Sequence, residues 1–172
     1  AETLQALTTL VQGLEEMEEP VVLVLFGDHK PWGGNGNSAY IEMGATFDLS
    51  TLDGFYDYYA TPYVIWANDA AAETLDWDAA VEALDLPETI SASFLGAAVL
   101  ELTGRGEETP WFAFLNALRR VSPVVQKQTC VLADGSTVSP LDAGAVPDAL
   151  EDSLRQWRCW SYYKLRYQEI PE

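Results

Sequence analysis

The chain has 172 residues, of which 48% are hydrophobic, and its 27 acidic and 9 basic residues give a formal net charge of −18. A chain of this length and composition fits one domain and can bury a core of its own. The negative charge repels phosphate backbones, which argues against nucleic-acid binding. No apolar run approaches the roughly 20 residues that a membrane-spanning helix needs.

The acidity is concentrated in one part of the chain. Residues 1–100 hold 17 acids and one base, Lys30, whereas residues 101–172 hold 10 acids and 8 bases. The acids between 69 and 88 lack the order of acids and glycine of a calcium loop, so they indicate a solvated surface. Cys130 and Cys159 are too few for a metal knuckle, and either a disulfide or two free thiols is possible.

Hydrophobic periodicity predicts the elements along the chain. An amphipathic helix is predicted over 2–17, followed by a strand over 20–26. This strand is an unbroken apolar run, which is typical of a strand buried on both faces of a parallel sheet. The run over 62–67 predicts a second strand of the same sheet. Five later elements are predicted: a short helix around 77–84, a helix over 90–102, a helix from Thr109-Pro110 to Val121, a hairpin at Asp134-Gly135, and a last helix from Pro147 or Asp148. The predicted fold class is therefore α/β, with buried, mostly parallel strands flanked by helices and a small C-terminal hairpin and helix.

Asp28 and His29 directly follow the first predicted strand, after Gly27. Ligands of open α/β sheets bind beyond the carboxyl ends of the strands, and a carboxylate with an imidazole suits Mn, Zn or Mg-type ions. On the dipeptide alone, a turn-capping aspartate beside an ordinary loop histidine is the simpler interpretation, because two ligands do not make a site. Lys30 and Trp32, on the loop that follows, are candidates for substrate contact; Trp32 could equally pack into the surface.

Several segments resemble one enzyme family when they are taken together. They are Phe26–Pro31 with the pattern FGDH-x-P, Tyr40, the strand Thr61–Asn68, and weaker pieces at 90–97, 111–115 and Tyr162–Gln168. Their order and approximate spacing resemble the C-terminal part of the lipoteichoic acid synthase and phosphoglycerol transferase branch of the sulfatase and alkaline-phosphatase superfamily.

This resemblance implies a partial sulfatase-like fold, with residues 1–172 forming the C-terminal portion of a larger catalytic domain. It implies that Asp28 and His29 bind a divalent metal, Mn, Mg or Zn, in the intact parent. The threonine nucleophile and an upstream acid would lie in a preceding segment, so no catalytic nucleophile is expected here. The parent would transfer glycerol phosphate from a phosphatidylglycerol-like lipid to a glycan or glycerol-phosphate acceptor. It would be anchored in the cell membrane with an extracellular catalytic domain, and this chain would be a soluble, inactive fragment.

Two departures from the family pattern leave the substrate open. Lys30 stands where an apolar residue is expected, and the loop 32–37 is unusually rich in glycine and asparagine. Two alternatives therefore stay open: a sulfuric or phosphoric ester hydrolase of the same superfamily, and a non-catalytic interaction module that kept the fold. A threonine nucleophile upstream would favour the transferase, formylglycine the sulfatase, and a natural start near Ala1 the module.

Overall fold

The structure is a computed structural model that describes residues 2–142 and 144–167. The fold is mixed α/β with two small antiparallel sheets, and the chain divides into two compact units, Ala1–Ala80 and Val81–Glu172. The expectation of one domain over 1–172 stays a prediction. No helix in the described ranges is long and apolar enough to cross a membrane.

The first unit contains one sheet and a set of mostly short helices. In chain order its elements are α1 (Glu2–Glu15), β1 (Val22–Phe26), a 3₁₀ turn (Asn35–Asn37), α2 (Ser38–Glu42), α3 (Leu52–Tyr59), β2 (Tyr63–Ala67), α4 (Asp69–Leu75) and α5 (Trp77–Leu84), the last of which crosses the unit boundary. The two strands and the helices α1 and α5 lie where the sequence predicts them. Helices α2, α3 and α4 were not predicted, because they are only five to eight residues long and acids interrupt their short apolar pattern.

The strands β1 and β2 are antiparallel, so the prediction of mostly parallel strands is wrong here. Val22 lies opposite Ala67, and Phe26 opposite Tyr63. The strands are also half-buried rather than buried, with Phe26 62% exposed. An unbroken apolar run reports that both faces of a strand are apolar, but it contains no information on the direction of its neighbour.

Asn68 joins three elements of the first unit through its side chain, which is fully buried. Its Oδ1 accepts hydrogen bonds from the N–H groups of Val21 and Ala71, both at 2.9 Å, and thereby caps the N-terminus of α4. Its Nδ2 donates to three carbonyls, those of Leu14 at 3.1 Å, Met17 at 3.2 Å and Glu19 at 3.0 Å. The end of α1, the start of β1 and the start of α4 are therefore held by one side chain.

The second unit packs two helices and a small sheet against a long final helix. Its elements are α6 (Ala92–Leu102), α7 (Pro110–Val121), β3 (Val124–Val125), β4 (Cys130–Val131), β5 (Thr137–Val138) and α8 (Asp148–Tyr167). Thr109 caps α7 as predicted, since its hydroxyl accepts from the N–H of Phe112 at 3.3 Å. The central core consists of Phe94, Ala97, Leu115, Leu118, Cys130 and Leu150. The predicted hairpin at Asp134-Gly135 is confirmed as β4 and β5, whereas β3 was not predicted.

Ser91 occupies the outer edge of β3, which pairs with β4 on its other side. The Ser91 hydroxyl accepts from the N–H of Val125 at 2.8 Å and lies 3.1 Å from the Val125 carbonyl, to which it can donate. The backbone N–H of Ser91 donates to the carbonyl of Pro123 at 2.9 Å. One residue before α6 thus takes the place of a neighbouring strand.

Arg119 is the largest side chain that is almost completely buried, and its charge is balanced by Glu101. Arg119 Nη2 lies 2.9 Å from Glu101 Oε2, and Arg120 binds the other carboxylate oxygen. Both cysteines are free, with Cys130 buried and Cys159 exposed, which excludes the disulfide between them. Gln168 of the C-terminal motif lies outside the described residues.

Candidate metal-binding site

The loop that carries Asp28 and His29 begins at a firmly held strand end. Gly27 extends the β1–β2 ladder, since its N–H donates to the carbonyl of Pro62 at 3.0 Å. Its own carbonyl accepts from the hydroxyl of Thr61 at 2.7 Å. A Cβ at position 27 would lie 3.0 Å from Thr61 Cβ, so glycine permits this close approach. The next two side chains therefore leave the sheet from a fixed point.

Asp28 and His29 form a compact pair just beyond that point. Asp28 Oδ1 accepts from the backbone N–H of His29 at 2.9 Å, and Oδ2 lies 3.6 Å from His29 Nε2. The side chains are 83% and 78% exposed, respectively, so both are accessible just beyond the strand end. His29 Nδ1 lies 2.9 Å from the carbonyl of Lys30. Because a carbonyl can only accept, Nδ1 carries the proton, and the neutral ring keeps its lone pair on Nε2.

This geometry suits the chelation of a cation by the two side chains. Ligand atoms about 2.0–2.2 Å from a tetrahedral metal lie roughly 3.4 Å from each other, close to the 3.6 Å between Asp28 Oδ2 and His29 Nε2. Metal-binding histidines usually donate their second ring N–H to a carbonyl or a carboxylate, as His29 does here. If the ring is protonated, the same separation gives an exposed ion pair, which contributes little to stability.

Asp28 and His29 are the only candidate metal ligands that the described part of the chain brings together here. Within residues 2–142 and 144–167, no group of three or more His, Cys, Asp or Glu side chains is placed to hold a metal ion. The described chain therefore offers half of a typical four-ligand site.

Lys30 and Trp32 have different surroundings. Lys30 Nζ donates to the carbonyl of Ala60, so the ammonium group ties the loop to the end of α3. Trp32 is 85% exposed, and the alternative that it packs into the surface is therefore wrong. The substrate-contact role of both residues stays a prediction, and it fits Trp32 better, because the Lys30 ammonium already has a partner.

Tyr40 supports the loop that presents Trp32. Its hydroxyl donates to the carbonyl of Pro31 at 2.8 Å, and its ring covers Gly33, where a Cβ would lie 2.4 Å from two ring carbons. In the sequence, Tyr40 and Thr61 are notable only as parts of the motif segments, and no local pattern indicates their supporting contacts with Pro31 and Gly27.

Comparisons of this chain with known proteins found no match among family models, curated proteins or solved structures. The likeness to the lipoteichoic acid synthase branch therefore depends on the motif segments alone. The geometry around Asp28 and His29 is the remaining basis for a functional proposal.

Proposed function

We propose that this chain is the C-terminal part of a metal-dependent phosphoglycerol transferase of lipoteichoic acid synthase type, in which Asp28 and His29 are two of the metal ligands. The observation that carries the proposal is the pairing of Asp28 Oδ2 with His29 Nε2, 3.6 Å apart at the end of β1. The order of the FGDH-x-P segment, Tyr40 and the strand Thr61–Asn68 supports the choice of family.

The donor set fits the proposed cofactor. One carboxylate oxygen and one imidazole nitrogen suit Mn²⁺ or Zn²⁺, whereas Mg²⁺ prefers oxygen ligands and water. A bound divalent ion supplies Lewis-acid activation of a phosphoryl group. The remaining ligands, including a threonine nucleophile, are proposed to come from a preceding segment of the parent.

In this proposal, the residues of this chain would bind the metal ion and orient its ligands. Asp28 contributes negative charge, and the Lys30 carbonyl fixes the ring of His29 with Nε2 available. Gly27 and Thr61 hold the strand end in position. Trp32 would provide an exposed aromatic surface for the donor or the acceptor, proposed as a phosphatidylglycerol-like lipid and a glycan or glycerol-phosphate chain outside the cell membrane.

His29 is the only histidine of the chain, so its imidazole signals in a proton NMR spectrum need no assignment by mutation. We expect substoichiometric Mn²⁺ to broaden these signals selectively in the wild type, with weak, millimolar-range affinity, because two ligands alone hold a metal loosely. Asp28→Asn should abolish most of the selective broadening. Asp76→Asn removes the same charge from another exposed acid of the first unit, at a left-handed position that asparagine tolerates, and should change nothing.

Equal broadening in wild type, Asp28→Asn and Asp76→Asn would show diffuse attraction to an acidic protein and would overturn the metal site. The transferase assignment has a separate test in the parent enzyme, where Asp28→Ala and His29→Ala should each abolish glycerol-phosphate transfer. The isolated chain should show no transfer and no phosphodiester or sulfate-ester hydrolysis. Turnover by this chain that is lost in His29→Ala would refute the proposed division of the active site. A parent without a nucleophile would favour the interaction module.

A further inference from the structure

The second unit contains an open groove that the proposed function does not use. Its volume is about 520 Å³, which lies within the usual range for ligand sites. Apolar side chains from three segments form its walls: Val125 at the end of β3, Pro140 and Leu141 after β5, and Leu154 and Trp157 on α8. An apolar ligand body would bury surface against all three segments.

Two basic residues flank these apolar walls. Lys127 lies in the turn between β3 and β4, and Arg158 lies on α8. None of the described residues that line the groove is acidic, although acids outnumber bases three to one in the chain. The two cations therefore face the groove with no carboxylate from the described part of the chain on its walls.

The other basic residues of the chain show that a cation without a partner is unusual here. Four arginines form ion pairs with carboxylates, namely Arg105, Arg119, Arg120 and Arg155. Lys30 donates to a backbone carbonyl, and Lys164 lies 5.0 Å from the ring centroid of Trp111. Among the described residues, Lys127, Arg158 and Arg166 have no such contact, and two of these three line the same groove.

We propose that this groove binds a small amphiphile that carries one carboxylate on an apolar chain, of fatty-acid type. The walls take the apolar chain, and Lys127 and Arg158 hold the carboxylate, for which the Arg fork is geometrically suited. Residues 101–172 have only two more acids than bases, so a monoanion meets far less repulsion there than in the acidic half. The same slight negative balance disfavours a doubly charged phosphate monoester. The groove shares no residue with the Asp28–His29 pair, so the two proposals succeed or fail independently.

Laurate, kept below its micelle-forming concentration, is the probe, and isothermal titration calorimetry with the full chain is the measurement. Saturable binding with one site is expected. Lys127→Gln and Arg158→Gln should each weaken it about tenfold, which is the usual effect of losing a charge-assisted hydrogen bond. Arg155→Gln is the matched control, because Arg155 lies on the same helix, pairs with Asp152 and does not line the groove. It should leave laurate affinity within about twofold of wild type.

The apolar wall has its own variant, Leu141→Ser. Leu141 is 64% exposed in a loop, so this change should reduce laurate affinity without unfolding the chain, and circular dichroism checks that every variant is folded. Dodecanol should bind at least tenfold more weakly than laurate, because it lacks the carboxylate. Equal affinity for laurate and dodecanol, or equal laurate affinity of all variants, would show that laurate only partitions non-specifically onto apolar surface. Either result would overturn the proposal. Tighter binding of dodecyl phosphate, or no saturable laurate binding by the folded wild type, would overturn it as well.

Discussion

Replacing Asn68 with alanine tests whether one buried amide holds the first unit together. The side chain is fully buried, and its two N–H protons are shared among three carbonyls while its oxygen accepts from two backbone N–H groups. Alanine would leave all five backbone groups without this partner. The N-cap contributes about 1 kcal/mol, and each further hydrogen bond contributes about 1 kcal/mol net.

These contributions predict that Asn68→Ala lowers the free energy of unfolding by about 3–4 kcal/mol, since water can satisfy some of the partly buried carbonyls. Urea unfolding followed by circular dichroism measures this loss. The control is Thr51→Ala, which removes another N-cap of the same unit: Thr51 accepts from the N–H of Gly54 at 3.1 Å. The control should lose only about 1 kcal/mol.

Hydrogen exchange locates the effect. The amide protons of Val21 and Ala71 both donate to Asn68 Oδ1, so Asn68→Ala should accelerate their exchange more than that of other amides in the unit. If Asn68→Ala costs no more than Thr51→Ala, then Asn68 acts as an ordinary cap, and its bonds to the preceding segment contribute nothing to stability.

Three further predictions concern charge, packing and pH. Glu101→Gln leaves the buried Arg119 and the exposed Arg120 without their carboxylate and should lower the free energy of unfolding by about 3 kcal/mol. The control Glu108→Gln breaks the exposed pair with Arg105 and should cost less than about 1 kcal/mol in the same urea experiment. Gly54→Ala would place a Cβ 2.2 Å from a backbone oxygen and should reduce the melting temperature, whereas Gly13→Ala, with nothing within 4 Å on a helix, should raise it. Burial raises the pKa of the Cys130 thiol above its ordinary value of 9.0, so its contribution to stability is complete below that pH and is lost as the pH rises through the folded-state pKa. Urea titrations between pH 7 and pH 10.5 should therefore show a steeper alkaline loss in wild type than in Cys130→Ala, and parallel profiles would contradict this.

The positions of β1 and β2 could be predicted from sequence because each is a short apolar run bounded by turn residues. Their antiparallel direction could not, because it depends on how residues 27–62 return the chain to the sheet. Asn68 illustrates the difficulty: its carbonyl partners lie about fifty residues earlier, and no local pattern identifies them.

The candidate site likewise combines positions that the sequence predicts with contacts that it does not predict. Asp28 and His29 could be placed at an exposed strand end because they directly follow the apolar run. The bond from His29 Nδ1 to the Lys30 carbonyl depends on a side-chain rotamer, and the bond from Thr61 to Gly27 joins residues 34 positions apart. The sequence therefore predicts where these two side chains lie, whereas the contacts that support them depend on the tertiary structure.

The contacts of Ser91 with β3 have a consequence for self-association. Edge strands with unpaired N–H and C=O groups are templates for strand addition by other chains, and proteins protect such edges in several ways. Here a single hydroxyl occupies the N–H and lies beside the C=O of Val125, so that an incoming strand would have to displace it. The strand order of this sheet is β3-β4-β5, so Ser91 blocks the addition of another chain beside β3. Aggregation by edge pairing with this sheet would have to begin beside β5.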